Sequence, residues 1–171
     1  MRYLLNKGVI RSSAEGLRNF VRGRRLTLGQ REAIAVLQLH PNHQLFASNE
    51  TWNLLMRRDI SHGLIQLITN RTKRFVPRRY QRRWARRLRQ HFGFEREDAH
   101  QLALATLGSD ENSTVLGVNA LITFDRRLIN RFYTHHSQIE TKLRRMTAQL
   151  HPPYSQAILP ELATPGEILS T

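Results

Sequence analysis

Short apolar strands alternating with helical stretches constrain this chain more than any other feature. "RYLL" at 2–5, "QLFAS" at 44–48 and "GVNALITFD" at 117–125 have the apolar, β-favouring character of buried strands. Between them lie two clear helices. "TLGQREAIAVLQLH" carries Ala33, Ile34, Val36 and Leu37 on its apolar side, and "EREDAHQLALATLG" is expected to stop near Gly108. Strands separated by helices pair in parallel, and a parallel sheet hides both faces under helices. The expected fold class is α/β: a three-layer α/β/α domain around a central, mostly parallel sheet.

The remaining segments fill in that plan. The first strand is expected to run into a loop, and "SSAEGLRNFVRG" into a helix capped by Ser12 or Ser13. "SNETWNLLMRRD" reads as a helix capped by Ser48 or Asn49, and "SHGLIQLITN" as another short helix. A short strand at Phe75 and Val76 should give way to a helix after Pro77, a residue that suits a first helical turn. "SDENS" is a turn, "RRLINRFY" opens a helix, and a last helix runs over 137–150. No repeat or low-complexity linker interrupts the chain. Residues 1–150 are expected to form the domain. Residues 151–171, with four prolines, are expected to form a tail extended over the surface.

Composition narrows the partners. The 171 residues suit one domain, and 40% hydrophobic content is enough for a core. There is no cysteine, so disulfides and thiolate metal sites are excluded. No apolar run approaches a membrane span, and Asn6 and Lys7 interrupt "MRYLLNKGVI" too early for a signal peptide. A cytoplasmic protein with no membrane partner is expected. Lys and Arg number 27 against 13 acids, a net charge of +14. Nucleic acid is the leading partner for such a surface, and a basic surface without a specific partner is the plainer alternative.

The charge is clustered. Residues 71–89, "RTKRFVPRRYQRRWARRLR", hold ten Arg or Lys in nineteen, inside a strongly basic segment spanning 71–92. Tyr80, Trp84 and Leu88 recur every four residues, a stripe that suits core packing better than base stacking. Arg79, Arg83 and Arg87 flank it, with Arg78, Arg82 and Arg86 behind. No acid inside the segment neutralises these arginines, so a phosphate-binding surface is the functional reading. A solvated face, or a dock for an acidic protein partner, is the alternative.

Aspartate is scarce: Asp59, Asp98, Asp110 and Asp125 are all there are. Asp125 ends an apolar strand, where open α/β sheets keep their ligands. Its plainer role is to cap "RRLINRF". Asp98 opens "EREDAHQLALA", where a carboxylate is also favoured simply by the helix N-terminus. The eight histidines form no HExxH pattern, and the adjacent His135 and His136 point apart on a helix. No phosphate-binding Gly-rich loop, nucleophile elbow, dinucleotide fingerprint or convincing helix-turn-helix is present.

The order of these pieces carries a resemblance. "EREDAHQLALA" followed by "GVNALITFDRRL" resembles the C-terminal half of the PIN-like domain family, in which an acidic residue opens a small-residue helix and a strand then runs into Thr-x-Asp. "RYLLNKGVI" is similar to that family's first strand, "LFASNETWNLL" to its second strand and helix, and "TPGEIL" to a frequent C-terminal segment. The resemblance covers most of the chain except about 130–160. It implies a metal-dependent endoribonuclease that cuts single-stranded RNA with Mg²⁺ or Mn²⁺. Two carboxylates about 4 Å apart repel by roughly 4 kcal/mol at an effective dielectric near 20, and a hard cation removes that cost.

Carried over residue by residue, the resemblance places Asp98 and Asp125 at the metal. Asn6 stands where the family has its first acid, and Leu54 where it has its second. Asn6 keeps a carbonyl oxygen for the metal but loses the charge. Glu50, four residues before Leu54, shares its helical face and is the candidate substitute; Thr123 is a candidate to hydrogen-bond a site carboxylate. Glu97 is expected to face solvent. Two functions follow: an endoribonuclease with a thinned acidic site, or a catalytically weakened PIN-like module that binds RNA or a partner. A protein inhibitor and self-association both stay open. A DNA-binding regulator is the third class, without a motif to support it.

Overall fold

The computed structural model describes residues 1–56 and 62–170. Among the described residues six strands form one sheet: β1 (Arg2–Leu5), β2 (Gln44–Ser48), β3 (Thr72–Pro77), β4 (Gly108–Asp110), β5 (Ala120–Ile122) and β6 (Glu161–Ala163). Their order is β4-β3-β2-β1-β5-β6, with only the β3–β4 pair antiparallel. Helices α1 (Lys7–Val21), α2 (Leu28–Leu37), α3 (Asn49–Met56) and α4 (His62–Arg71) come from the N-terminal half. Helices α5 (Gln81–Phe92), α6 (Arg96–Leu107), α7 (Arg126–Thr134), α8 (His136–Thr147) and the short α9 (Pro165–Leu169) follow.

Side-chain alternation explains the three layers. Leu4, Phe46, Phe75, Leu121 and Leu162 point to one face, where they pack with residues of α5, α6, α7 and α8. Their neighbours Tyr3, Leu5, Leu45, Ala47, Ala120 and Ile122 point to the other, against α1, α2 and Leu55 of α3. Both faces are covered, as the near-continuous apolar runs of the strands require. Helix α6 is buried without a break from Gln101 to Leu107. Its alternating alanines let it lie close to the sheet. Gly117 sits at φ 63, where an added Cβ would stand 2.7 Å from the Thr106 carbonyl oxygen, so only glycine fits the return from α6 to β5. Among the described residues no helix is long and apolar enough to cross a membrane.

Several elements differ from the sequence expectation. No loop follows β1: α1 begins at Lys7 with Asn6 as its cap, and Ser13 is buried mid-helix, donating to the Val9 and Ala33 carbonyls. Pro77 ends β3 instead of opening α5, because Tyr80 at φ 70 intervenes before the helix starts at Gln81. Ser109 and Asp110 belong to β4, so the turn begins two residues later, at Glu111. The last long helix stops at Thr147. The C-terminal segment is not simply laid over the surface. Glu161–Ala163 adds an edge strand parallel to β5, and α9 follows with a Thr164–Glu167 capping box. The expected end of the "SNETWNLLMRRD" helix, Asp59 and the start of "SHGLIQLITN" lie outside the described residues.

Candidate functional site

The central parallel strands deliver their ends to one corner. The Asn6 backbone N–H donates to the Ile122 carbonyl at 2.9 Å, continuing the β1–β5 ladder one step past the strands. Each chain then turns straight into a helix, and each helix takes a polar cap. Asn6 Oδ1 accepts from the Gly8 N–H at 3.4 Å, while Asp125 Oδ1 accepts from the N–H groups of Arg127 and Leu128 at 2.9 and 3.0 Å. Thr123, fully buried, ties the two caps together. Its Oγ1 accepts from Asn6 Nδ2 at 3.2 Å and from the Asp125 N–H at 3.1 Å.

Asp98 meets this corner from the first turn of α6. Its half-buried carboxyl is pushed up to about 6, first by burial, then by the charges of Asp125, Glu95 and Glu97, with Arg131 opposing. The Asp125 charge is thus among those that act on Asp98. Arg131 is itself held, donating to the Gly93 carbonyl. Asn6 is joined to the corner through Thr123, but it turns its amide nitrogen, not its oxygen, toward that residue. Its carbonyl serves the helix cap.

This donor set suits a hard cation only in part. The pair itself offers carboxylate oxygens, the right chemistry for Mg²⁺ or Mn²⁺. Among the described residues, however, no three of His, Cys, Asp and Glu gather closely enough to hold a metal ion by themselves. Two carboxylates leave most coordination positions to water and to a substrate phosphate.

The other predicted acids lie elsewhere. Glu50 does not reach the carboxylate corner. It is exposed on α3, with Oε1 3.9 Å from His100 Nε2. Glu97 is exposed, as expected, and pairs with Lys7 Nζ at 2.7 Å. Leu54 is exposed on α3. These residues border an open groove of about 1020 Å³ between α3, α5 and α6, which Lys7, Arg82, Arg86 and Arg89 also line. Glu95 and Glu97, whose charges act on Asp98, line the groove, as does Lys7 next to Asn6, so groove and corner adjoin.

The basic segment divides by role. Trp84 and Leu88 are fully buried and Tyr80 packs against the same core, so the stripe is core packing. Arg78 is structural: its guanidinium donates to the carbonyls of Asp110 and Glu111 at 2.9 and 3.1 Å, holding the β4 turn. Arg79 lies over the Tyr80 ring at 5.0 Å, and Arg87 is half-buried. Arg82, Arg83 and Arg86 are exposed, and among the described residues none of them pairs with a carboxylate. Gln81 and His100, which meet beneath the groove, carry no motif by which the sequence would single them out. Compared with protein-family models, curated proteins and solved structures, the chain finds no match in any of the three.

Proposed function

We propose that the protein binds single-stranded RNA in the groove walled by α5 and cleaves it at the Asp98–Asp125 corner, as a metal-dependent endoribonuclease of the PIN-like type its sequence resembles. One observation carries the reading: exposed arginines that pair with no carboxylate among the described residues line a groove beside a pair of carboxylates at the carboxyl edge of a parallel sheet. Arg82 and Arg86 would hold the RNA backbone by its phosphates. Asp98 and Asp125 would supply the anionic oxygens for Mg²⁺ or Mn²⁺. Thr123 fixes the backbone of Asp125, and the α7 cap fixes its side chain, so that carboxylate needs little reordering. A cation held by Asp98 and Asp125 would supply Lewis acidity for activating water and positive charge to offset that at the phosphorus. Asp98 and Asp125 orient what they hold, while Arg131 offsets part of their mutual repulsion.

A second reading has its own support. Asn6 and Leu54 leave the corner two acids short of the family pattern, and Asn6 directs its oxygen into a helix cap. That favours an RNA-binding or partner-binding module with little or no cleavage.

Titration of Mn²⁺ or Mg²⁺ against single-stranded RNA cleavage separates the two. The enzyme reading expects cation-dependent cleavage that disappears in both Asp98→Asn and Asp125→Asn. No cleavage at any cation concentration, with RNA binding intact, establishes the binding module. Cleavage unchanged in both variants overturns the assignment of the corner. Asn6→Asp restores the missing charge and should tighten cation binding by calorimetry.

A further inference from the structure

Gln81 is an expensive residue to place where it stands. It opens α5 directly after Tyr80, whose φ of 70 is a left-handed conformation that non-glycine residues rarely adopt. Its side chain is fully buried, and among the described residues its Oε1 has no hydrogen-bond partner. An orphaned buried amide oxygen costs stability. All that Gln81 gains from its amide is spent on one residue. Nε2 lies 3.2 Å from His100 Nδ1 and 3.3 Å from the His100 carbonyl oxygen.

That geometry fixes the histidine tautomer. The amide nitrogen has only hydrogens to offer, so it donates to both atoms, and Nδ1 accepts. Turning the amide over would press Oε1 against the His100 carbonyl. The neutral ring therefore carries its proton on Nε2, which faces the groove. Its nearest anionic neighbour, Glu50 Oε1, is 3.9 Å away, beyond hydrogen-bond reach. Among the described residues no other acceptor reaches it. A fixed, neutral N–H donor thus stands in the groove that Arg82 and Arg86 also line.

We propose that the groove is a phosphodiester subsite in which His100 Nε2–H donates to a non-bridging phosphate oxygen and Gln81 is the positioning residue that fixes the tautomer. This rests on the polyanion-binding part of the function proposed above, not on cleavage. The ligand is an oxygen acceptor with negative charge, because the groove is lined by five basic side chains, Lys7, Arg82, Arg86, Arg89 and Arg96, against three acids, Glu50, Glu95 and Glu97. It is a repeating one, because Arg82 and Arg86 follow each other by about one helical turn, roughly 5.4 Å, along the groove wall. A single-stranded nucleic acid offers such a series of phosphates.

The neutral donor makes a distinctive test, because it contributes affinity without releasing counterions. Binding of a fluorescent twelve-nucleotide uridine RNA is measured by anisotropy in chelator over a series of salt concentrations. His100→Ala should weaken binding about fivefold at every salt concentration, the worth of one hydrogen bond, and leave the log–log slope unchanged. Arg86→Ala should weaken binding and also flatten the slope by about 0.7. Gln81→Met should show the His100→Ala loss while its His100 ¹⁵N shifts leave the Nε2–H pattern. If Gln81→Met fails to fold, His100→Ala carries the test alone.

Unchanged affinity in His100→Ala, with Arg86→Ala behaving as expected, overturns this subsite and leaves RNA binding standing. A wild-type slope near zero overturns both. Inorganic phosphate that displaces the RNA at concentrations comparable to RNA phosphate shows a free-anion site and overturns the phosphodiester assignment. A polyglutamate peptide that binds as tightly, with the same dependence on His100, overturns it in favour of an acidic protein partner.

Discussion

The carboxylate corner and the arginine groove adjoin but are built in opposite ways. At the corner the capping and linking atoms are already used. Asn6 and Asp125 cap helices, Thr123 joins them, and Arg131 is anchored on a carbonyl. In the groove, Arg82 and Arg86 have no carboxylate partner among the described residues, and the His100 N–H has no acceptor. The corner is hydrogen-bonded and anionic; the groove is open and more basic than acidic. The contrast separates two tasks that the proposed function needs: holding a cation in fixed geometry, and gripping a polyanion without regard to its sequence. It also explains why ten basic residues in nineteen do not act alike. Arg78 is consumed by the β4 turn, while Arg82 and Arg86 stay available.

The separation can be broken at several points, in descending size of effect. Asp125→Asn is the sharpest chemical probe. Asparagine caps a helix about as well as aspartate, so stability should hold. Cleavage should fall by more than the roughly 10- to 100-fold that a mere supporting partner of a metal ligand is worth. RNA affinity in chelator should stay within about twofold. Loss of affinity as well would mean that the corner and the groove are one site. Next, Arg82→Ala with Arg86→Ala should lower RNA affinity at low salt by on the order of tenfold and reduce the salt slope by about 1.4, two phosphates' worth. An unchanged slope would place the grip elsewhere on the surface.

Stability against pH gives a smaller effect with a definite sign. The Asp98 carboxyl is raised to about 6 by burial first and by neighbouring acids second. Its protonated form is the one the fold prefers. Its contribution is therefore fully present below about pH 4 and is lost as pH rises through about 6. Asp98→Asn should be more stable than the wild type above pH 6. The gain should be on the order of 1 kcal/mol once solvent screening of a half-exposed group is discounted, and it should vanish near pH 4. Denaturant melts in chelator across that range check it, and a gain that persists at pH 4 would assign the effect to packing. The smallest expected change is comparable. Asp125→Ala, unlike Asp125→Asn, should cost about 1 kcal/mol and lower Tm by about 2–4 °C through loss of the α7 cap.

What the sequence discloses is local. β1, β2 and β5 are visible as apolar runs, α6 as a small-residue helix, and Asp98 and Asp125 by their places at an element start and end. The arginine face of α5 is visible because its charge has no local counterweight. What stays hidden depends on distant partners. Glu161–Ala163 gains its strand identity only by pairing with β5 some forty residues away, and its flanking prolines disguise it. Asn6 looks like a weakened metal ligand, yet the fold makes it a cap because α1 starts without a loop. Pro77 suits a helix start equally well as a strand end, and the left-handed Tyr80 decides between them. The Gln81–His100 pair lies nineteen residues apart on two helices, with no spacing rule to announce it.

The central proposal, a cation corner shared by Asp98 and Asp125, is tested most directly by locating the cation. Mn²⁺ is titrated at substoichiometric concentration into ¹⁵N-labelled protein carrying a short non-cleavable RNA, and paramagnetic broadening of backbone amides is followed. The expected result is broadening centred on Asn6, Asp98, Thr123 and Asp125, abolished by Asp125→Asn. Broadening centred on Glu50 or Asp110, or a pattern that Asp125→Asn leaves intact, would contradict it.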